Sequence, residues 1–293
     1  MLDLCKQMNR FGLEEGFTES GLPGVRFFKA LNPVPKAPLL YDPGICIVFQ
    51  GHKIGYLGDE VFQYDADNYL VVSVTLPFEC ETFASPDAPL LGMYVDVDIP
   101  VLHDLIASLG QTGFPETGTK GDPPRGMGPA AMDRDMKGAV GRLLTVLASE
   151  TETRILGPGL VREIMFRVLL GSQGPSLYAL AAHSGNFARI AGVLRMIKKD
   201  YARKLDVDTM AGAVNMSTSA FHRTFKDITA ESPMQYLKKI RLTKARELLM
   251  EKDMKAYIAA DRVGYESPSQ FSREFKRYFG QSPADLLRES KAA

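Results

Sequence analysis

The sequence is short of the residues that most enzyme chemistries and extracellular scaffolds need. Its 293 residues hold three cysteines and four histidines. Cys5, Cys46 and Cys80 are far apart, odd in number and form no C-x-x-C, which argues against a disulfide framework and a thiolate zinc site. They are expected to be reduced thiols, with Cys46 in "GICIVF" a buried strand residue. Redox sensing by Cys46 or Cys80 stays open at this point. His52, His103, His183 and His222 stand singly, so no pair suggests a metal centre and no cofactor is expected. No nucleophile–base pair and no Gly-x-x-x-x-Gly-Lys phosphate loop occurs. No apolar run reaches the ~20 residues that span a bilayer. The first residues, "MLDLCKQMNR", lack the basic and apolar blocks of a secretory signal, and the expected compartment is the cytoplasm.

Net charge is also absent, 35 basic residues balancing 35 acidic ones, but the balance hides an asymmetry. From residue 190 onward there are 20 Lys and Arg against 13 Asp and Glu; before it there are 15 against 22. A basic end on an acidic body suits a nucleic-acid-binding domain joined to a domain with another task.

Between about residues 20 and 100 the chain reads as β. The runs "GICIVFQG", "NYLVVSVTLP" and "LLGMYVDVDIP" are rich in β-branched and aromatic residues and are separated by Pro and Gly. Close spacing without helices between them favours an antiparallel sandwich or barrel. Residues 110–130 are Gly/Pro-rich and aperiodic, and read as a loop or linker. The period then becomes helical, with Val140, Leu143, Leu144 and Leu147 on one stripe and Val161, Ile164, Met165, Val168 and Leu169 on another. These helices could cap the sheet or pair with a second subunit.

Two stretches near the C-terminus repeat each other. "STSAFHRTFKDITAESP" from Ser217 and "SPSQFSREFKRYFGQSP" from Ser267 share eight of seventeen positions, among them Ser217/Ser267, Phe221/Phe271, Arg223/Arg273, Phe225/Phe275 and Lys226/Lys276. Each parses as a helix-turn-helix with a serine N-cap on the second helix and a Ser-Pro start to the next. The paired phenylalanines, four apart, face the core. The opposite face then carries Ser219, His222, Arg223 and Lys226, and in the twin Ser269, Gln270, Arg273 and Lys276. The major groove accepts such a helix, and arginine can donate two hydrogen bonds to guanine. Ser219, His222, Arg223, Ser269, Gln270 and Arg273 are therefore the candidate base-reading residues. Ser217, Lys226, Ser267, Lys276 and Arg277 are candidate phosphate contacts. If the helix after Pro233 is rigid, the two units could enter consecutive major grooves, ~34 Å apart on straight DNA.

From about Leu205 to Leu287 the chain resembles the DNA-binding domain of AraC-family transcription regulators. The motifs are "MAGAVNMSTSAFHRTFKDITAESPMQYLKKIRLTKARELL" and "AADRVGYESPSQFSREFKRYFGQSPADLLRE". The resemblance implies a seven-helix domain with two helix-turn-helix units joined by a linker helix. Two positions depart from the pattern: Asn215 and Ala230 stand where glycine is usual. Residues 20–170 resemble, more loosely, the N-terminal domain of one branch of that family, through "LYDPGICIVFQGHK", "LGDEVFQYDADNYLVVSVTLPFE" and "GLVREIMFRVLLGSQG". That implies a cupin-like β-barrel followed by helices, used for sensing and dimerisation.

The expected fold is thus α+β: an antiparallel cupin-like barrel with helices over 1–183, and an all-α double helix-turn-helix domain over 184–293. Expected partners are double-stranded promoter DNA, a second copy of the chain, a small-molecule effector and, for an activator, RNA polymerase; no membrane is expected. Arg26, His52, Lys53, Tyr56 and Tyr64 are effector-pocket candidates near predicted strands, although sequence alone does not separate inward from outward positions. The alternatives are a ligand-independent dimeric regulator set by abundance or a protein partner, and a cupin enzyme carrying a DNA-binding module.

Overall fold

A computed structural model of the chain describes residues 4–110, 124–182, 185–252 and 254–292. After a short helix, α1 (Leu4–Met8), come β1 (Gly16–Glu19), β2 (Val25–Ala30), β3 (Val34–Tyr41), β4 (Gly44–Gln50), β5 (His52–Leu57), β6 (Glu60–Tyr64), β7 (Asn68–Val72), β8 (Leu76–Phe83) and β9 (Leu90–Asp96). Helix α2 (Ile99–Gly110) precedes β10 (Met127–Ala131). The strands form a six-stranded sheet, β1-β2-β9-β4-β7-β10, and a four-stranded sheet, β3-β8-β5-β6. Every pairing is antiparallel.

Burial explains the strand sequences. In β5 burial alternates, with Lys53, Gly55 and Leu57 inward and His52, Ile54 and Tyr56 outward. In β4 nearly every residue is buried, because α1 packs on the outer side of β4 and β9. Cys46 lies in β4, and burial pushes its thiol up to about 12, which keeps it protonated and unreactive near neutrality. Cys80 is buried against the Tyr64 hydroxyl at 3.2 Å.

The loop expected over 110–130 needs a correction. Residues 111–123 lie outside the described residues, but Met127–Ala131 is a strand, pairing with β7 from Met127 against Val72 to Ala131 against Asn68. It is an edge strand, where Pro129 is tolerated despite having no N–H to donate. His183 and Ser184 also fall outside the described residues.

Helices α3 (Arg134–Val146) and α4 (Glu150–Leu170) carry the expected stripes inward, capped by Asp133 and Ser149. Helix α4 begins nine residues before the run that suggested it and continues through Pro158. Its serine cap and two acidic residues in the first turn stabilise its start, and Pro158 leaves one backbone carbonyl of the helix without its N–H partner. After α5 (Gly174–Ala181) the chain is helical: α6 (Asn186–Asp200), α7 (Val207–Gly212), α8 (Thr218–Thr229), α9 (Pro233–Lys252), α10 (Ala256–Arg262), α11 (Pro268–Phe279) and α12 (Pro283–Ala292). Among the described residues no helix is long and apolar enough to cross a membrane.

The core does not stop where the sheets end. One cluster runs from Met8 through both sheets and α3–α6 into α7, α8 and the first half of α9, ending at Ile240. A second, separate cluster starts at Leu242 and holds α10, α11 and α12.

Candidate nucleic-acid interface

The two repeats fold alike. Ser217 Oγ accepts the Ala220 N–H at 3.3 Å and starts α8; Ser267 Oγ accepts the Gln270 N–H at 3.3 Å and starts α11. The preceding turns close identically: the Met216 N–H donates to the Ala211 carbonyl, and the Tyr265 N–H to that of Ala260, each at 3.1 and 3.0 Å respectively. The residue left over between the copies is Glu266, directly before the second cap. Phe221 and Phe225 are fully buried with ring centroids 5.5 Å apart; Phe271 and Phe275 match them at 5.4 Å.

Both departures from the glycine pattern sit in left-handed backbone, Asn215 at φ 52° and Ala230 at φ 61°. Asparagine visits this region with little penalty, and Asn215 is exposed. Its counterpart, Gly264 (φ 83°), has no such freedom, because a Cβ there would come within 2.3 Å of the Ala202 carbonyl oxygen. Ala230 ends α8 as Gly280 ends α11, each donating its N–H back to a lysine carbonyl, that of Lys226 or Lys276.

With the phenylalanines inward, the other face of each helix is open. Ser219, His222, Arg223 and Lys226 are exposed on α8; Ser269, Gln270, Arg273, Lys276 and Arg277 are exposed on α11. Ser217 is exposed and Ser267 half-buried; both spend their oxygen on the helix cap, leaving the hydroxyl proton for an outside acceptor. Arg223, Lys226, Arg273, Lys276 and Arg277 form no ion pair among the described residues. Elsewhere basic side chains are commonly neutralised, as in Arg162–Asp104 at 2.5 Å and Arg142–Glu163 at 2.6 Å.

Sequence reading passed over Glu274. Its carboxylate accepts from the Tyr265 hydroxyl at 2.8 Å and from Gln270 Nε2 at 3.3 Å, and it shares an open recess with Gln270, Arg273 and Arg277. A carboxylate fixed on a helix face that enters the major groove can accept a hydrogen bond from cytosine. The signal was the four-residue spacing of Gln270 and Glu274.

The first unit is also fastened to the sheets. The Gly126 N–H donates to the Ile228 carbonyl at 3.0 Å, and Arg125 donates to the Asp227 carbonyl at 2.9 Å while pairing with Glu60 at 3.1 Å. A guanidinium at the C-terminal carbonyls of α8 also suits the helix dipole. The Tyr236 hydroxyl donates to the Thr75 carbonyl at 2.7 Å. Lys198 of α6 pairs with Asp42 at 2.6 Å. Burial raises the Asp42 carboxyl, but hydrogen bonds from Lys198 and Thr75 outweigh it and hold the group below its ordinary value.

The five effector-pocket candidates separate into three places. Lys53 and Tyr64 point between the sheets. Lys53 Nζ donates to the Tyr41 hydroxyl at 2.9 Å, lies 5.6–5.9 Å from the Phe28, Tyr41 and Tyr64 ring centroids, and has no acidic partner among the described residues. A cavity of about 320 Å³ opens beside it, with Phe28, Leu39, Tyr41 and, from α9, Arg246 in its wall. His52 and Tyr56 are on the outer face of β5, His52 stacked on Phe83 at 4.4 Å and Tyr56 donating to Glu81 at 3.1 Å. Arg26 lies elsewhere, paired with Asp96 at 2.9 Å.

Comparison with known proteins fits this architecture. Residues 21–176 match the family model for the AraC-type transcriptional regulator N-terminus, and residues 210–289 match a helix-turn-helix domain model. The HTH-type transcriptional activator RhaS of Klebsiella pneumoniae is 32% identical over 143 residues, 49% of this chain and 50% of that protein. RhaS of Citrobacter koseri is 33% identical over 126 residues, 43% of this chain and 45% of that one. The chain therefore matches about half the length of these curated relatives. Among solved structures, unsaturated fatty acid-bound ToxT from Vibrio cholerae aligns with a TM-score of 0.59 over 90% of this chain and 93% of that one, at 12% identity, a likeness of fold. With more than half of its length matched by the N-terminal family model, and the double helix-turn-helix in place behind it, the chain belongs to the AraC-type transcriptional regulators.

Proposed function

We propose that the protein is a cytoplasmic regulator that reads promoter DNA in a sequence-specific way through α8 and α11. The carrying observation is that two equivalent helices, on two equivalent phenylalanine cores, present exposed and unneutralised cations. Arg223 and Arg273 are assigned to base edges, with Ser219, His222, Ser269 and Gln270 beside them. Lys226, Lys276, Arg277 and the cap serines are assigned to phosphates. Fluorescence anisotropy against duplex DNA at several salt concentrations tests the assignment. Lys276→Ala should weaken all sequences alike and reduce the salt slope by about 1. An unchanged slope would count against the phosphate role.

The functional boundary is proposed near residues 183–184, with sensing before it and DNA reading after it. The effector is proposed to be an amphipathic anion in the cavity between the sheets. A buried ammonium without a carboxylate, walled by aromatic rings and facing Arg246 of the DNA-binding helices, favours a negatively charged head on an apolar body. ToxT, of similar fold, was solved with an unsaturated fatty acid bound, which is consistent with that chemistry. A second copy is proposed to pair through α4, whose Ile155, Leu156 and Leu170 are exposed. RNA polymerase is the expected further partner if the regulator activates.

A further inference from the structure

A second cleft lies away from the cavity beside Lys53. It measures about 530 Å³ and is walled on one side by the ends of β2 and β9 and the β7–β8 connection, and on the other by α5 and α6. Its floor is apolar, formed by Val74, Val97, Leu180 and Leu194. Its rim is charged and balanced, with Arg26, Arg195 and Lys198 against Glu19, Asp42 and Asp96.

Two of these pairs are already closed: Arg26 with Asp96 at 2.9 Å, and Lys198 with Asp42 at 2.6 Å. What remains is one cation and one anion. Arg195 and Glu19 are exposed, and neither has a hydrogen-bond or ion-pair partner among the described residues.

A ligand of single charge would leave one of the two rim groups unanswered. A ligand with both charges a short distance apart, carried on an apolar body, answers the rim and the floor together. We propose that this cleft binds a free α-amino acid with an apolar side chain: the carboxylate meets Arg195, the ammonium meets Glu19, and the side chain rests on Val74, Leu180 and Leu194. The site is independent of the inner cavity and shares no residue with it. It joins the sheets to α6, which packs on α8, so an occupant there stiffens the seat of the first reading helix.

Isothermal titration of the full-length protein with L-phenylalanine and L-leucine tests this, with 3-phenylpropanoate (no ammonium) and phenethylamine (no carboxylate) as single-charge probes. Saturable binding of at least one amino acid is expected, with each single-charge probe about tenfold weaker or worse. Arg195→Ala and Glu19→Gln, both at exposed positions, should each weaken the amino acid by about tenfold and leave the unliganded melting temperature in place. Absence of saturable binding by both amino acids at millimolar concentration would overturn the proposal. So would equal binding of the single-charge probes, or undiminished binding by both variants.

Discussion

The two helix-turn-helix units are the same object held in different ways. Their caps, turns and phenylalanine pairs agree to within tenths of an ångström in the distances that define them. Yet the first belongs to the core that runs through the sheets, while the second has a core of its own. The difference comes from a few positions outside the reading faces. Tyr236 sends its hydroxyl to the Thr75 carbonyl, whereas its counterpart is Leu286, which has none to send. Ala230 lies against the β5–β6 turn, its Cβ within 2.9 Å of where a side chain at Gly58 would begin; the counterpart Gly280 meets nothing. Repetition of a fold therefore sets local geometry, and single substitutions at its margins set attachment. The first unit is built into the core of the sheets, and the second packs on α9 and touches the sheets at β3.

The largest effects should come from the cores. Phe225→Ala and Phe275→Ala each remove a fully buried ring, at a cost of about 3–5 kcal/mol to the cluster that holds it. Hydrogen exchange on Phe225→Ala should show weakened protection reaching into the sheets; on Phe275→Ala it should be confined to the second half of α9 and α10–α12. Matching global losses would erase the distinction between the units. Next come the reading arginines: Arg223→Ala and Arg273→Ala should each lose about 1–3 kcal/mol at the preferred site, with the fold unchanged. Equal losses on random DNA would make them phosphate contacts.

Smaller effects should separate the two helix ends. Ala230→Gly should stabilise the protein by about 1 kcal/mol by relieving left-handed strain, and Gly280→Ala should destabilise it by a similar amount. Thermal melts of the two variants moving in the same direction would contradict this. The smallest concerns the seam between the sheets and α6. Asp42 is held below its ordinary value of 3.8, so its contribution is present above that pH and fades as pH falls through the lower folded value. The melting-temperature gap between the protein and Asp42→Asn should hold from neutral pH to about 5 and close below about 4. A gap that widens on acidification would be the wrong sign.

Most of the exposed face of α8 and α11 was legible because helical spacing ties it to the core. Once Phe221 and Phe225 are inward, the directions of His222, Arg223 and Lys226 follow. The two irregular turn residues, Asn215 and Ala230, were also visible against the repeat, and both proved to occupy left-handed backbone. What was hidden depended on partners distant in sequence. Strand β10 has a loop-like composition and is a strand only because β7 supplies its hydrogen bonds. The inward turn of Lys53 and the outward turn of His52 and Tyr56 depend on the register of β5, which a short run does not fix. Glu274 was overlooked because its orientation rests on Tyr265, a residue of the preceding turn.

One scaffold, used twice, should read two different sequences, since Gln270 stands opposite Ala220, Ser272 opposite His222, and Arg277 opposite Asp227. Selection of bound duplexes from a random pool, run in parallel with the unaltered protein, Arg223→Ala and Arg273→Ala, tests it most directly. The expected result is a two-part motif, with each variant losing base preference in one part and keeping the other. An identical motif from all three proteins, or loss spread evenly over both parts in either variant, would contradict it.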